Sequence, residues 1–242
     1  MSRLRIPAAS TLLGLLTVAL AGHASAQNTA LVPAVFQEAR HAGFLQEAER
    51  GGIECLLMGD SITDWWARAG ADVYAANFAP LHCANFGIAG DRTQGVLWRM
   101  ENGELEGYSP KLMMLMIGTN NLSGRNSTPN SPEEIAMAIA TIVAKFRTTF
   151  PEAKVLLLGV FPRGADPNND YRARIRQINE LIAHLDDGEH VHFMDIGDRF
   201  LERDGSISVD VMADGLHPTA RGYQIWADAV MPTFRQMMGV GR

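Results

Sequence analysis

The sequence predicts an α/β fold, a parallel sheet covered by helices on both faces. Three observations predict it. Five short apolar runs of strand length recur along the chain, at Ile53–Met58, Leu81–Phe86, Leu112–Ile117, Val155–Val160 and Val191–Asp195. Stretches of helical character alternate with them, which is the arrangement of βα units. Residues able to do chemistry stand directly after these runs, where an open parallel sheet binds its ligands.

Each element has its own signature. Residues from Val32 to Arg50 form a helix of mixed polarity, and Ile53–Met58 is a buried strand that stops at Gly59. Trp65 and Trp66 lie in a short helical piece. Leu81–Phe86 is the second strand, stopped by Gly87. Arg92–Met100 is helical and is broken by Asn102-Gly103. Leu112–Ile117 ends at Gly118 and is followed by a polar loop from Asn120 to Asn130. Ser131-Pro132-Glu133-Glu134 then opens a helix that runs to Phe150. Ser caps it, Pro occupies the first turn, and the acids complement the helix dipole. Val155–Val160 is the fourth strand, Tyr171–Leu185 a helix and Val191–Asp195 the fifth strand. A last helix runs from Pro218 to Met237. No repeat or second domain boundary appears, so residues 27–242 are expected to form one domain.

The first 26 residues are expected to be a cleaved secretory signal. Arg3 and Arg5 precede an apolar stretch from Thr11 to Ala21, and His23-Ala24-Ser25-Ala26 has the small residues that a signal peptidase reads. The apolar stretch is short for a membrane span, and no later segment is apolar enough for one. An exported, periplasmic or extracellular protein without stable membrane insertion follows. The 242-residue chain carries formal net charge −6; losing Arg3 and Arg5 removes two positive charges and leaves −8. This balance speaks against nucleic-acid binding, which calls for a basic stripe. Export permits a disulfide between the two cysteines, Cys55 and Cys83. Both fall in buried strands, however, and two buried thiols are the expectation. No zinc-type or other metal-ligand spacing occurs, and no metal or cofactor is expected.

The strand ends carry Gly59-Asp60-Ser61, Asn85-Phe86-Gly87-Ile88-Ala89-Gly90-Asp91, Gly118-Thr119-Asn120-Asn121 and Phe161-Pro162-Arg163-Gly164. Asp214-Gly215-Leu216-His217-Pro218 precedes the last helix. Singly, each is a helix cap or a turn. Jointly, they contain what acyl transfer requires: a nucleophile, an oriented base and donors for an oxyanion. Ser61 is the candidate nucleophile and His217 the base, with Asp214 orienting the imidazole. The backbone amides of Ser61 and Gly90 and the side-chain amide of Asn120 are candidates for the oxyanion hole. Asp60 and Asp91 are candidate supporting residues. Ser61 lacks the second glycine of G-x-S-x-G, and Gly87, Gly90 and Gly95 do not fit G-x-G-x-x-G. Two N-x-S/T sequons occur, at Asn121 and Asn126.

These blocks resemble the SGNH (GDSL-like) hydrolases, named for a serine, glycine, asparagine and histidine that match Ser61, Gly90, Asn120 and His217 in order. Asn85–Asp91, Val96-Leu97-Trp98-Arg99, Asn102-Gly103-Glu104-Leu105-Glu106, Phe161-Pro162-Arg163-Gly164 and Asp204-Gly205-Ser206-Ile207-Ser208 are similar to the branch of the intracellular platelet-activating-factor acetylhydrolase catalytic subunits. The resemblance implies a flavodoxin-like three-layer sandwich with strand order 2-1-3-4-5. It also implies hydrolysis of short acyl esters, acetyl above all, without a metal. The export signal departs from that branch and points to a small acylated substrate such as an acetylated sugar or short-chain ester; association into an oligomer stays open. A lysophospholipase or thioesterase of the same fold, and a binding module that has lost catalysis, are the competing expectations. The loop from Asn121 to Asn130 is longer than the branch leads one to expect.

Overall fold

The computed structural model describes residues 27–123 and 128–241; the expected signal segment and the sequon at Asn126 lie outside them. Five parallel strands, β1 (Cys55–Gly59), β2 (Cys83–Gly87), β3 (Leu112–Met116), β4 (Lys154–Leu158) and β5 (Val191–Met194), form one sheet in the order β2-β1-β3-β4-β5. The expected topology is therefore the observed one. β1 and β3 are buried along their whole length, which is why they read as continuous apolar runs rather than alternating ones.

Two apolar cores lie on opposite faces of this sheet. Alternate strand residues such as Leu56, Met58, Met113 and Leu115 point into one core, which is covered by α1 (Glu38–Arg50), α4 (Thr93–Glu101), α5 (Pro132–Thr149) and α6 (Asp170–Ala183). Cys55, Leu57, Met114 and Met116 point into the other, under α2 (Ser61–Asp64), α3 (Ala71–Asn77) and α7 (Ala220–Met237). Trp66, Tyr223 and Trp226 fill the centre of this second core with rings 4.5–4.8 Å from the Trp66 ring. Ser131 and Glu134 close a full capping box at the start of α5, as their sequence spacing predicts.

Two local expectations are corrected, and one sequon is ruled out as a glycan site. The first helix begins at Glu38, not at Val32; residues 32–37 run as a non-helical arm, and Gln37 turns into the helix at φ 53°. Cys55 and Cys83 form a disulfide rather than two thiols. They are direct partners in the β1–β2 ladder with Cα atoms 4.4 Å apart, so both side chains leave the same face of the sheet. Asn121 is fully buried and bonds Thr93, Gln94 and Asn130, which leaves its sequon no room for a glycan.

Candidate functional site

The tight connection from β1 into α2 presents Ser61. Asp60 is the N-cap of α2 and accepts the Ile62 N–H at 2.9 Å, fixing Ser61 as the first helical residue. Gly87 permits the arrangement, because a Cβ on it would lie 2.2 Å from the Asp64 nitrogen; the end of β2 touches the backbone of α2. The Tyr223 hydroxyl donates to the Ile62 carbonyl at 2.6 Å and ties α2 to α7. Asp60 is wholly buried, and its Oδ2 has no hydrogen-bond partner among the described residues. Burial pushes its carboxyl up to about 7, against the pull of the Ile62 N–H and the positive charge of Arg163.

The turn before α7 brings His217 to this serine. Ser61 Oγ and His217 Nε2 are 2.9 Å apart, and His217 Nδ1 lies 2.6 Å from Asp214 Oδ2. The Asp214 Oδ1 atom accepts the backbone N–H groups of Leu216 and His217 at 3.0 and 2.8 Å, so one three-residue turn orients both carboxylate and imidazole. Partial burial works to raise the Asp214 carboxyl, but these amide bonds and the imidazole hold it below the usual carboxylate range. The His217 ring also stacks on Trp65, with centroids 4.2 Å apart and planes 18° from parallel. An ionised Asp214 on Nδ1 leaves Nε2 facing the hydroxyl, the arrangement in which an imidazole can take a serine proton.

Gly90 and Asn120 line the same cleft as Ser61 and His217. Gly90 has φ 85°, a conformation that an L side chain rarely adopts. Asn120 Nδ2 donates to the Asp91 carbonyl at 2.9 Å, joining the loop after β3 to the loop after β2. Asp91 itself is buried. Its Oδ1 accepts the Arg92 N–H at 2.8 Å, and its Oδ2 meets the Arg99 guanidinium at 3.0 Å. Arg99 is fully buried and is shared with Glu104. Burial raises the Asp91 carboxyl to about 6, with Arg99 opposing the shift. Asp91 thus supports the loop that carries Gly90, while Asp60 supports the turn that carries Ser61.

The cleft has a volume of about 1180 Å³. Its walls include Trp65 and Arg163, which no motif marks: in the sequence Trp65 is part of a helical piece and Arg163 a strand-end residue. Arg163 donates to the Thr119 carbonyl at 3.2 Å and lies over the Tyr171 ring. Val35 and Phe36 come from the arm that periodicity assigned to a helix. No local pattern marks such contacts, since each joins segments distant in the chain. An aromatic pair following a candidate nucleophile was the available signal for Trp65.

The chain is similar to known proteins in sequence and in fold. The model of the GDSL-like Lipase/Acylhydrolase family matches residues 57–225. Platelet-activating factor acetylhydrolase IB subunit alpha1 of Rattus norvegicus is 39% identical over 184 residues, which cover 76% of this chain and 75% of the relative. Subunit alpha2 of the same organism is 37% identical over 185 residues, covering 76% and 77%. Among solved structures, the acetylxylan esterase Axe2 from Geobacillus stearothermophilus superposes with a TM-score of 0.60 at 18% identity, covering 79% of this chain and 96% of that one. The acetyl xylan esterase AlAXEase gives a TM-score of 0.63 at 20% identity, covering 75% and 99%.

Proposed function

Since this chain belongs to the GDSL-like lipase/acylhydrolase family and is a carboxylic ester hydrolase, we propose that it removes short acyl groups, acetyl above all, through an acyl-enzyme on Ser61. Ser61 Oγ attacks the ester carbonyl while His217 Nε2 takes the hydroxyl proton. Asp214 stabilises the imidazolium through Nδ1–H. The amides of Ser61 and Gly90 and the side chain of Asn120 receive the oxyanion. His217 returns the proton to the departing alcohol, and water then repeats the sequence on the acyl group. The steps draw on no metal or cofactor.

The observation that carries this reading is the unbroken chain of contacts Ser61–His217–Asp214, at 2.9 and 2.6 Å, opening into the cleft. Acetyl as the acyl group is supported by the sequence similarity to platelet-activating factor acetylhydrolase subunits; the fold likeness to acetylxylan esterases suggests acetylated carbohydrate as a substrate class. Export of residues 27–242 as one domain is supported by the N-terminal residue pattern and by the Cys55–Cys83 disulfide, a bond that persists in oxidising compartments. Among the described residues no helix is long and apolar enough to cross a membrane.

The test is turnover of p-nitrophenyl acetate together with labelling by a fluorophosphonate. Ser61→Ala should lower kcat by about a millionfold, by analogy with serine proteases, and should abolish labelling. A Ser61→Ala protein that keeps most of its turnover would remove the serine from the mechanism. A wild-type protein that neither labels nor turns over would favour a binding module.

A further inference from the structure

We propose that Phe36, backed by Val35, is the wall that limits acyl-chain length at this site. The inference rests on the Ser61 reading above and assigns to the N-terminal arm a part in it.

The two layers of the sandwich give the scissile ester a direction. Ser61 stands at the carboxyl end of β1, between the layers. His217 and its stacking partner Trp65 belong to the layer of α2 and α7. The leaving alcohol must face His217, because that imidazole protonates it. With the oxyanion on the Gly90 and Asn120 donors, the acyl chain is the substituent that extends away from His217, into the part of the cleft that Val35 and Phe36 border.

On that side the arm supplies the apolar surface. A methyl group added to Gly90 would lie 3.3 Å from Phe36 Cζ, so the ring stands directly over a residue that also lines the cleft beside Ser61. Val35 and Phe36 are 58% and 36% exposed, so both keep apolar surface open, and both line the cleft. Their placement is not casual. The Ala34 N–H donates to the Gln94 carbonyl at 3.1 Å, the Thr93 hydroxyl to the Ala30 carbonyl at 2.9 Å, and the Asn130 amide to the Thr29 hydroxyl at 2.8 Å. The first pins the arm to the start of α4, and the other two fix the segment just before the arm, so that the ring is held beside Gly90. The arm also lies outside residues 57–225, so the family's matched segment does not contain this wall.

A ring in that position leaves room for a short acyl group and meets a longer one. The experiment compares kcat/KM for p-nitrophenyl acetate, butyrate and hexanoate in the wild type, Phe36→Ala, Phe36→Leu and Val35→Ala. Phe36→Ala should raise the hexanoate-to-acetate ratio about tenfold or more, the scale on which one methylene is sensed by an apolar pocket. Phe36→Leu should fall between Phe36→Ala and the wild type, with a smaller change for Val35→Ala. A merely structural arm would change all three esters alike. A ratio within twofold of wild type in Phe36→Ala, or one that falls because the ring serves as a platform for longer chains, overturns the proposal. Ser61→Ala run in parallel keeps the two readings apart. If it abolishes every turnover while the Phe36→Ala ratio stays constant, only the wall is lost; if turnover survives Ser61→Ala, the mechanism and the wall fall together.

Discussion

Asn120 shows most clearly how single residues act together here. Its amide nitrogen donates to the Asp91 carbonyl. One proton of Nδ2 is therefore used to hold the loops after β2 and β3 in register, and the other is free to point into the cleft. Asn120→Ala removes both contributions. Removing one oxyanion donor typically costs about a hundredfold to a thousandfold in turnover, and kcat should fall by that amount with KM little changed. Steady-state kinetics on p-nitrophenyl acetate checks this. A loss of less than about tenfold would mean that Asn120 serves only to join the loops. Among the residues proposed for the reaction, Ser61, Asn120, Asp214 and His217 stand out in the sequence because they follow a strand end or sit in a short turn. There, local capping and turn chemistry is enough to mark the position. Trp65 against His217 was not legible, because ring stacking depends on how two distant turns meet. The exposed apolar pair Val35 and Phe36 was absorbed into an apparent helical period for the same reason.

At the scale of elements, the strands were readable because burial on both faces of a parallel sheet writes them as apolar runs. The seven-residue helix α3 was not, since Ala71–Asn77 buries only Val73 and has too little apolar stripe to show a period. The disulfide is not legible in the sequence, because strand register cannot be read from one sequence and only direct pairing of Cys55 with Cys83 brings the sulfurs together. Its position makes a prediction. Cys55 begins β1, whereas Ser61 follows the end of that strand, so the cross-link is at the opposite end of the strands from the cleft. Closing a loop across a separation of 28 residues restricts the unfolded chain by about 3–4 kcal/mol. Reduction, or replacement of both cysteines by alanine, should lower Tm by roughly 6–16 °C for a domain of this size. The specific activity of the folded protein at 25 °C should stay within about twofold. Thermal unfolding with and without reductant, paired with esterase assays, tests both halves. A large activity loss without a Tm shift would mean that β1 and β2 transmit strain to the cleft.

For the whole molecule, the acidic groups divide into two sets with opposite effects on stability. Asp214 and Asp187 are held below the ordinary carboxylate range; Asp187 falls to about 2 because backbone amides of Val191, Glu189 and His190 outweigh its desolvation. Their stabilising effect is present above the unfolded value near 4 and is lost as pH falls through the folded values. Asp60 and Asp91 are raised by burial, to about 7 and about 6. Below pH 4 they are protonated in both states and contribute nothing to the pH dependence. Between pH 4 and 7 the unfolded chain releases protons that the folded protein retains, so these two groups lower stability as pH rises; above pH 7 their penalty is constant. Asp60 is the sharper case, because Arg99 offsets the burial of Asp91, whereas Asp60 keeps one oxygen without a partner among the described residues. Asp60→Asn keeps an oxygen for the Ile62 N–H and removes the ionisation. The Tm of Asp60→Asn relative to wild type should therefore rise by about 5 °C or more between pH 4 and pH 8, taking roughly 2–4 °C per kcal/mol. Calorimetry across that range decides the matter: parallel Tm curves for the two proteins would mean that the carboxyl beside Ser61 ionises in the ordinary carboxylate range in the folded protein, and that the turn carrying Ser61 holds a buried negative charge at no cost.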